Sequence, residues 1–345
     1  MNPPTVRTKP PAEARTIVNF TGRSVPVPRD PQRIAVLAPV LDVLATIEPC
    51  TNRISGGIEY EIAHAANTPT GLVCPGLARI PVVSTRWTPD PEKILKSEPD
   101  VVIAIRDLAS NLEAIGYPSL VRIDYGPESV KRRDRVWRLA GRVLNHEERA
   151  ARLQSLYRAE MEDLRLQAHP TGERQPRVIE MFGSATGWRV SGGGYYLSDV
   201  LSALGAVYAA DGVRHASGVS QEDLFVLDPD VILLQGYSTS GPEALFDDPS
   251  WQAVTAVKMR RVYKMPPHNQ FNEAVDLILT ATWLAHVLRP EAPGPDLVSA
   301  TQNIFTQVFD RRLSDSQLCR LFQFDANNRS QSYRKILPID CPPQK

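Results

Sequence analysis

EKILKSEPDVVI, Glu92 to Ile103, and EDLFVLDPDVIL, Glu222 to Leu233, are one element written twice. Each opens on an acidic residue, passes through a short helix, turns at a Pro-Asp pair and enters an apolar run of strand length. Asp90 can cap the first helix, and Pro91 suits its first position. One copy lies in each half of the chain, so the spacing predicts two similar α/β lobes.

Outward from the first copy, Arg33–Leu37, Asn52–Ile58, Pro81–Val83 and Leu120–Ile123 read as strands, with helices over Leu41–Ile47 and Leu108–Ile115. A hairpin precedes them, Thr16–Phe20 with Ser24–Val27, turning at Thr21-Gly22. Around the second copy, Arg177–Phe182 and Arg261–Met265 read as strands. Tyr196–Leu204, Pro249–Ala256 and Asn272–Leu288 read as helices, and Gly205 stands where a helix C-cap belongs. Between the halves, Ser129–Ala168 has no proline and only Gly141 as a breaker. It reads as a long helix, with room for a shorter one ending near Asn145. Strands alternating with helices indicate mostly parallel sheets. The fold class is therefore α/β, two similar lobes joined by one long helix. The divisions expected are a disordered leader (1–15), an N-terminal lobe (16–128), a linking helical segment (129–170), a C-terminal lobe (171–290), C-terminal helices (291–326) and a polar, proline-rich tail (327–345).

Composition removes several functions. Lys+Arg and Asp+Glu both number 39 in 345 residues, which argues against generic nucleic-acid binding while leaving room for a local basic patch. The apolar run Ile34–Leu41 is far too short to span a bilayer. The 30 prolines fall between apolar runs and punctuate loops. No P-loop, G-x-S-x-G elbow or post-strand G-x-G-x-x-G occurs, and SGGGYY, Ser191 to Tyr196, lacks the lysine of a phosphate loop. The four cysteines, Cys50, Cys74, Cys319 and Cys341, have neither CxxC nor zinc-finger spacing. Spacing alone leaves them open as two bridges, Cys50–Cys74 and Cys319–Cys341, or as four buried thiols.

The chain resembles the substrate-binding proteins of bacterial ABC importers for ferric siderophores, haem and cobalamin. The likeness runs from about Asn19 to Phe324. It rests on TGRSVPVPRDPQRIAVL (Thr21–Leu37), the duplicated Pro-Asp element, LSDVLSALGAVYAADGV (Leu197–Val213), and DLVSATQNIFTQVF (Asp296–Phe309) with SDSQLCRLF (Ser314–Phe322). It implies two Rossmann-like lobes joined by a stiff helix, with a ligand cleft between them, no enzyme activity and a monomer. It also implies a periplasmic or lipid-anchored location with the export signal already removed, which favours the two disulfides. Where the family often has Ser-Pro and then Glu after the first strand, this chain has the less polar Ala38-Pro39-Val40-Leu41-Asp42.

Ligands of open α/β sheets bind outside the carboxyl ends of the strands. The candidates there are Arg86, Trp87, Arg106, Tyr195, Tyr196, Tyr237 and His268, with the glycines of Ser191–Gly194 offering backbone N–H groups. Arginine forks suit the anionic oxygens of catecholates and hydroxamates, and Trp and Tyr stack on their rings. Each residue also has a plainer reading: Trp87 packed at the rim, Arg106 paired with Asp107 or Asp90, the glycines only a tight turn, at least one of the tyrosines in the core. Of the six histidines, His268 is the candidate metal ligand; a lone histidine more often only donates a hydrogen bond. The resemblance assigns Glu92 and Glu222 to the membrane permease, although a carboxylate at a helix start is also favourable by dipole alone. Both helix starts are expected to face away from the ligand loops.

The function implied is capture of a ferric siderophore or similar metal chelate and delivery to an ABC importer. The chain needs no cofactor of its own; its ligand is an iron chelate. The alternatives are a haem or cobalamin binder of the same family, a two-lobed α/β enzyme, or a scaffold without a small ligand. Haem would require a placed Tyr or His, and neutral cobalamin would not need two arginines.

Overall fold

The computed structural model describes residues 13–85, 88–114, 116–124, 129–168, 174–184, 187–193, 196–213, 217–267 and 275–342. The chain forms two compact units, Met1–Leu156 with Asn269–Val275, and Tyr157–His268 with Asp276–Lys345.

In the first unit, β1 (Ala14–Val18) and β2 (Ser24–Pro28) form the antiparallel hairpin, turned at Gly22 with φ +82°. Five parallel strands follow: β3 (Ile34–Leu37), β4 (Ile54–Ile58), β5 (Val82–Ser84), β6 (Val101–Ile105) and β7 (Leu120–Ile123). Their order in the sheet is β5-β4-β3-β6-β7. All four β3 residues are buried, as expected of a central parallel strand covered on both faces. The helices Glu59–Ala65 and Pro69–Val73 were not expected from the sequence; each is too short to show a periodicity.

The second unit holds β8 (Arg177–Ser184), β9 (Gly187–Val190), β10 (Val207–Tyr208), β11 (Ser217–Gly218), β12 (Val231–Leu234) and β13 (Val262–Lys264). Their order is β11-β9-β8-β12-β13, with β10 parallel to the start of β8. The antiparallel β9 and β11 depart from the expected pattern. Trp188 and Val190 are buried and Arg189 exposed, so β9 does alternate, but over too few residues to stand out.

The duplicated element keeps the same geometry in both units. Its helices span Pro91–Lys96 and Gln221–Leu227. Glu98 and Asp228, at matching positions, both take left-handed backbone conformations, φ +42° and +37°. The Asp of each Pro-Asp pair then caps the start of the neighbouring central strand. Asp100 accepts from the Arg33 N–H at 2.9 Å, and Asp230 accepts from the Arg177 N–H at 2.7 Å. The same arginines reach back to the helix ends: Arg33 Nη2 donates to the Ser97 carbonyl (2.6 Å) and Arg177 Nη2 to the Leu227 carbonyl (2.7 Å). Each arginine thus pairs helix carbonyls that have no intrahelical donor.

The linking segment is two helices, Ser129–Leu144 and Glu147–Gln167, with the corner at Asn145, φ +61°. Gly141 makes the corner possible: a Cβ there would sit 2.7 Å from the Ala150 Cβ. The boundary between the units, at Leu156/Tyr157, falls inside the second helix.

The C-terminal segment is not loose. Its helices Phe324–Asn327 and Tyr333–Ile336 bury Tyr333, Ile336 and Leu337. Asn327 acts as a strand partner for edge strand β13: its Oδ1 accepts from the Lys264 N–H at 2.6 Å and its Nδ2 donates to the Lys264 carbonyl at 2.8 Å. Ser330 Oγ donates to the Val262 carbonyl at 2.6 Å. A polar segment thus covers a sheet edge that would otherwise be open to pairing.

Disulfides join Cys50 to Cys74 and Cys319 to Cys341, with Cα atoms 4.9 and 5.6 Å apart. The second ties this C-terminal segment to the helix Asp315–Leu321. Thiol titration in denaturant without reductant is expected to find no free cysteine. Opening either loop should lower stability by about 3 kcal/mol on chain-entropy grounds. Four reactive thiols, or an unchanged Tm after reduction, would refute both bridges.

Candidate solute site

In the first unit the chain leaves the carboxyl end of β3 through Ala38 and Val40, both buried. Asp42 is also buried and accepts a bond from Thr68 Oγ1 at 3.1 Å, so its carboxylate braces the next turn. A helix begins directly after β4, placing exposed Glu59 and half-buried Tyr60 at that strand's carboxyl end. Tyr60 packs on His64, ring centroids 4.5 Å apart. Sequence reading missed this pair because the helix follows the strand without a loop. Arg86 and Trp87 lie outside the described residues. Thr85 and Thr88, on either side of them, exchange hydrogen bonds of 3.0 Å. Arg106 stands exposed at the carboxyl end of β6, as the first residue of the helix Arg106–Ala114.

In the second unit, Ser191 follows β9 and is fully buried, with its N–H donating to the Glu180 carbonyl of β8 at 3.0 Å. Gly193 serves close packing: a Cβ there would lie 1.9 Å from the Asp211 carbonyl oxygen. Gly194 and Tyr195 lie outside the described residues. Tyr196 opens its helix and is buried, 7% exposed. Gln235, Gly236 and Tyr237 leave the carboxyl end of β12, with Tyr237 half-buried. Their turn is pinned from two sides. The Gly183 N–H donates to Ser238 Oγ at 3.3 Å, and Lys264 Nζ donates to the Ser238 carbonyl at 2.9 Å. Burial lowers the proton affinity of that lysine, and Glu243 partly restores it. His268 lies outside the described residues.

Glu92 and Glu222 are both exposed on the first turns of their helices. Other residues already cap those helices: Asp90 accepts from the Lys93 N–H, and Ser220 with Asp223 forms a capping box. Neither glutamate has an ion-pair partner among the described residues. Their expected placement needs correction. The Asp90 N–H donates to the Val83 carbonyl of β5 at 3.1 Å, so the first helix starts beside the carboxyl end of β5. The helices run antiparallel to the strands they precede, which puts their ends, not their starts, at the strands' amino ends. Each glutamate therefore sits on the same side of its own sheet as that unit's candidate loops.

Among the described residues no group of three or more His, Cys, Asp or Glu side chains could hold a metal. A groove lined by Leu164, Ala168, Leu204, His286 and Pro295 lies at the helix C-termini of the second unit, away from these loops.

Each unit is an α/β unit with its candidate residues at or beside strand carboxyl ends. The chain matches the periplasmic binding protein family over residues 61–268, more than half its length, and it belongs to that family. No curated protein matches it. It is similar to a periplasmic solute-binding protein of Veillonella parvula: 23% identity, TM-score 0.78, covering 92% of this chain and 99% of that one. The molybdate periplasmic binding protein MolA of Haemophilus influenzae, bound to molybdate, gives 18% identity and a TM-score of 0.72, over 87% of this chain and 99% of that one. CeuE of Helicobacter pylori, in a nickel–histidine complex, gives 17% and 0.71, over 89% and 98%. The family is one of binding proteins, not enzymes, and its name places it in the periplasm. Among the described residues no helix is long and apolar enough to cross a membrane.

Proposed function

We propose that this protein captures an oxygen-rich metal chelate of the ferric-siderophore type and delivers it, as a monomer, to the membrane permease of an ABC importer. The observation that carries the reading is the end of the duplicated element. Its two strands, β6 and β12, lead at their carboxyl ends into an exposed arginine, Arg106, and a half-buried tyrosine, Tyr237. A cationic fork and an aromatic face are what an anionic, ring-bearing chelate requires. Arg86, Trp87, Tyr195 and His268 complete the proposed set, with Tyr60 added; Tyr196, being buried, supports the loop from behind. The molybdate relative supports a second reading, a bare oxyanion held by the arginines alone.

Tryptophan fluorescence separates the two. Of the five tryptophans, Trp137, Trp188, Trp251 and Trp283 are all 8% exposed or less. A ferric catecholate or hydroxamate is expected to quench with sub-micromolar Kd, and Trp87→Ala to remove most of the quench. Molybdate binding with no response to either ferric chelate would replace the siderophore reading by the oxyanion one. A quench unchanged in Trp87→Ala would remove Trp87 from the site.

A further inference from the structure

We propose that Glu180 is a positioning residue of the solute site: its carboxyl group lies beneath the Ser191 and Gln235 loops and holds one against the other. The inference rests on the reading that these loops face the solute.

Glu180 is on β8, the strand between β9 and β12, and is fully buried. Its backbone carbonyl accepts from Ser191, and the next residue, Met181, accepts from the Gln235 N–H at 2.9 Å. Both loops therefore start from the same two residues of one strand. The carboxyl group is faced by the side chains of Ser191 and Gln235. These are near enough to favour its charged form somewhat, yet neither carboxyl oxygen, nor Ser191 Oγ, has a hydrogen bond of good geometry. From β10, the Tyr208 hydroxyl donates to the Ser191 carbonyl. Burial first and Glu180 second raise the Tyr208 phenol's hold on its proton, and Asp211 adds to this. The groups acting on Glu180 thus include two neutral side chains and a phenol, and no cation among the described residues.

A buried carboxylate without a cation is costly, so the group keeps its proton. Burial pushes Glu180 up to about 7. The neutral acid offers one donor and one acceptor, which match a hydroxyl and an amide. Ionisation would place a charge with no cation beside it under both loops, and Ser191 and Gln235 offset its burial only in part, which strains the loops that carry them. The sign follows. Between the ordinary carboxylate range and about pH 7 the native protein holds a proton that the unfolded chain has released. Stability therefore falls as pH rises through that window, and order in the two loops falls with it.

The test uses the full chain, with Glu180→Leu and Glu180→Gln. Amide hydrogen exchange of the solute-free protein, corrected for intrinsic rates, is expected to accelerate about tenfold over 191–193 and 235–238 together in Glu180→Leu. Glu180→Gln, which keeps a donor and an acceptor, should match the wild-type loops at low pH and lose the wild-type fall of Tm between about pH 5 and pH 8. Loops unaffected in Glu180→Leu, or affected singly, overturn the proposal; so does a pH dependence that survives in Glu180→Gln. Ferric-chelate affinity is the second readout, expected to fall about tenfold in Glu180→Leu and to hold in Glu180→Gln. Coupled loops with unchanged affinity would mean that the solute does not sit on them, and would overturn the role through that reading alone.

Discussion

Tyr333→Ala is expected to destabilise the protein by about 4 kcal/mol, as large aromatic truncations in packed cores do. Tyr333 is 1% exposed. Its ring lies 6.2 Å from that of Tyr263 and 6.3 Å from that of Phe324, centroid to centroid. Its hydroxyl accepts from Trp283 Nε1 at 3.0 Å and donates to the Phe322 carbonyl. Burial raises the phenol's proton affinity, so it remains a donor at every physiological pH. The alanine variant leaves a cavity and an unpaired indole N–H at once, and it leaves the Phe322 carbonyl with only its weaker donor, Asn327 Nδ2 at 3.3 Å. Tyr333→Phe isolates the polar part and should cost roughly 1–3 kcal/mol. Thermal unfolding reads both, with a fall of roughly 6 °C expected for alanine. A wild-type Tm in Tyr333→Ala would mean that the C-terminal segment is not part of the core, and that Asn327 and Ser330 do not cover β13 in solution.

The second large effect concerns delivery. Replacing Glu92 and Glu222 together by alanine should abolish solute transfer to the permease and leave solute affinity unchanged. Both carboxylates are exposed, and other side chains already cap both helices, so helix stability does not need them. A single rim ion pair contributes about 0–1 kcal/mol. Two on one molecule combine, because the first contact raises the effective concentration of the second, so the double variant should lose more than either single one. Normal transport would reduce both residues to solvated helix-start charges. Loss of affinity would instead assign them to the solute site, which their place on the carboxyl side of each sheet makes a real alternative. Transport in reconstituted vesicles, beside equilibrium binding, separates these outcomes.

The sequence by itself determined the two α/β units, the short helices of the duplicated element, the Pro-Asp turns and the break near Asn145. These features are local. Asp90 at a helix start, proline at a first turn, and apolar runs of four or five residues act through neighbours a few positions away. The family resemblance rests on the same local signals. Only the tertiary structure decided the rest, because it depends on contacts between residues far apart in the chain. Asn327 completes the edge of β13 from 63 positions away, and no local pattern marks it. The four-residue β9 exists because β8 is beside it to pair with. Glu180 reads in sequence as one polar residue in an apolar run. It becomes a buried acid under two loops only when β9 and β12 close on either side of β8. The starts of the Glu92 and Glu222 helices were misplaced for a related reason: a chain order says which strand a helix precedes, but the antiparallel packing of helix on strand decides which end of the sheet its first turn reaches.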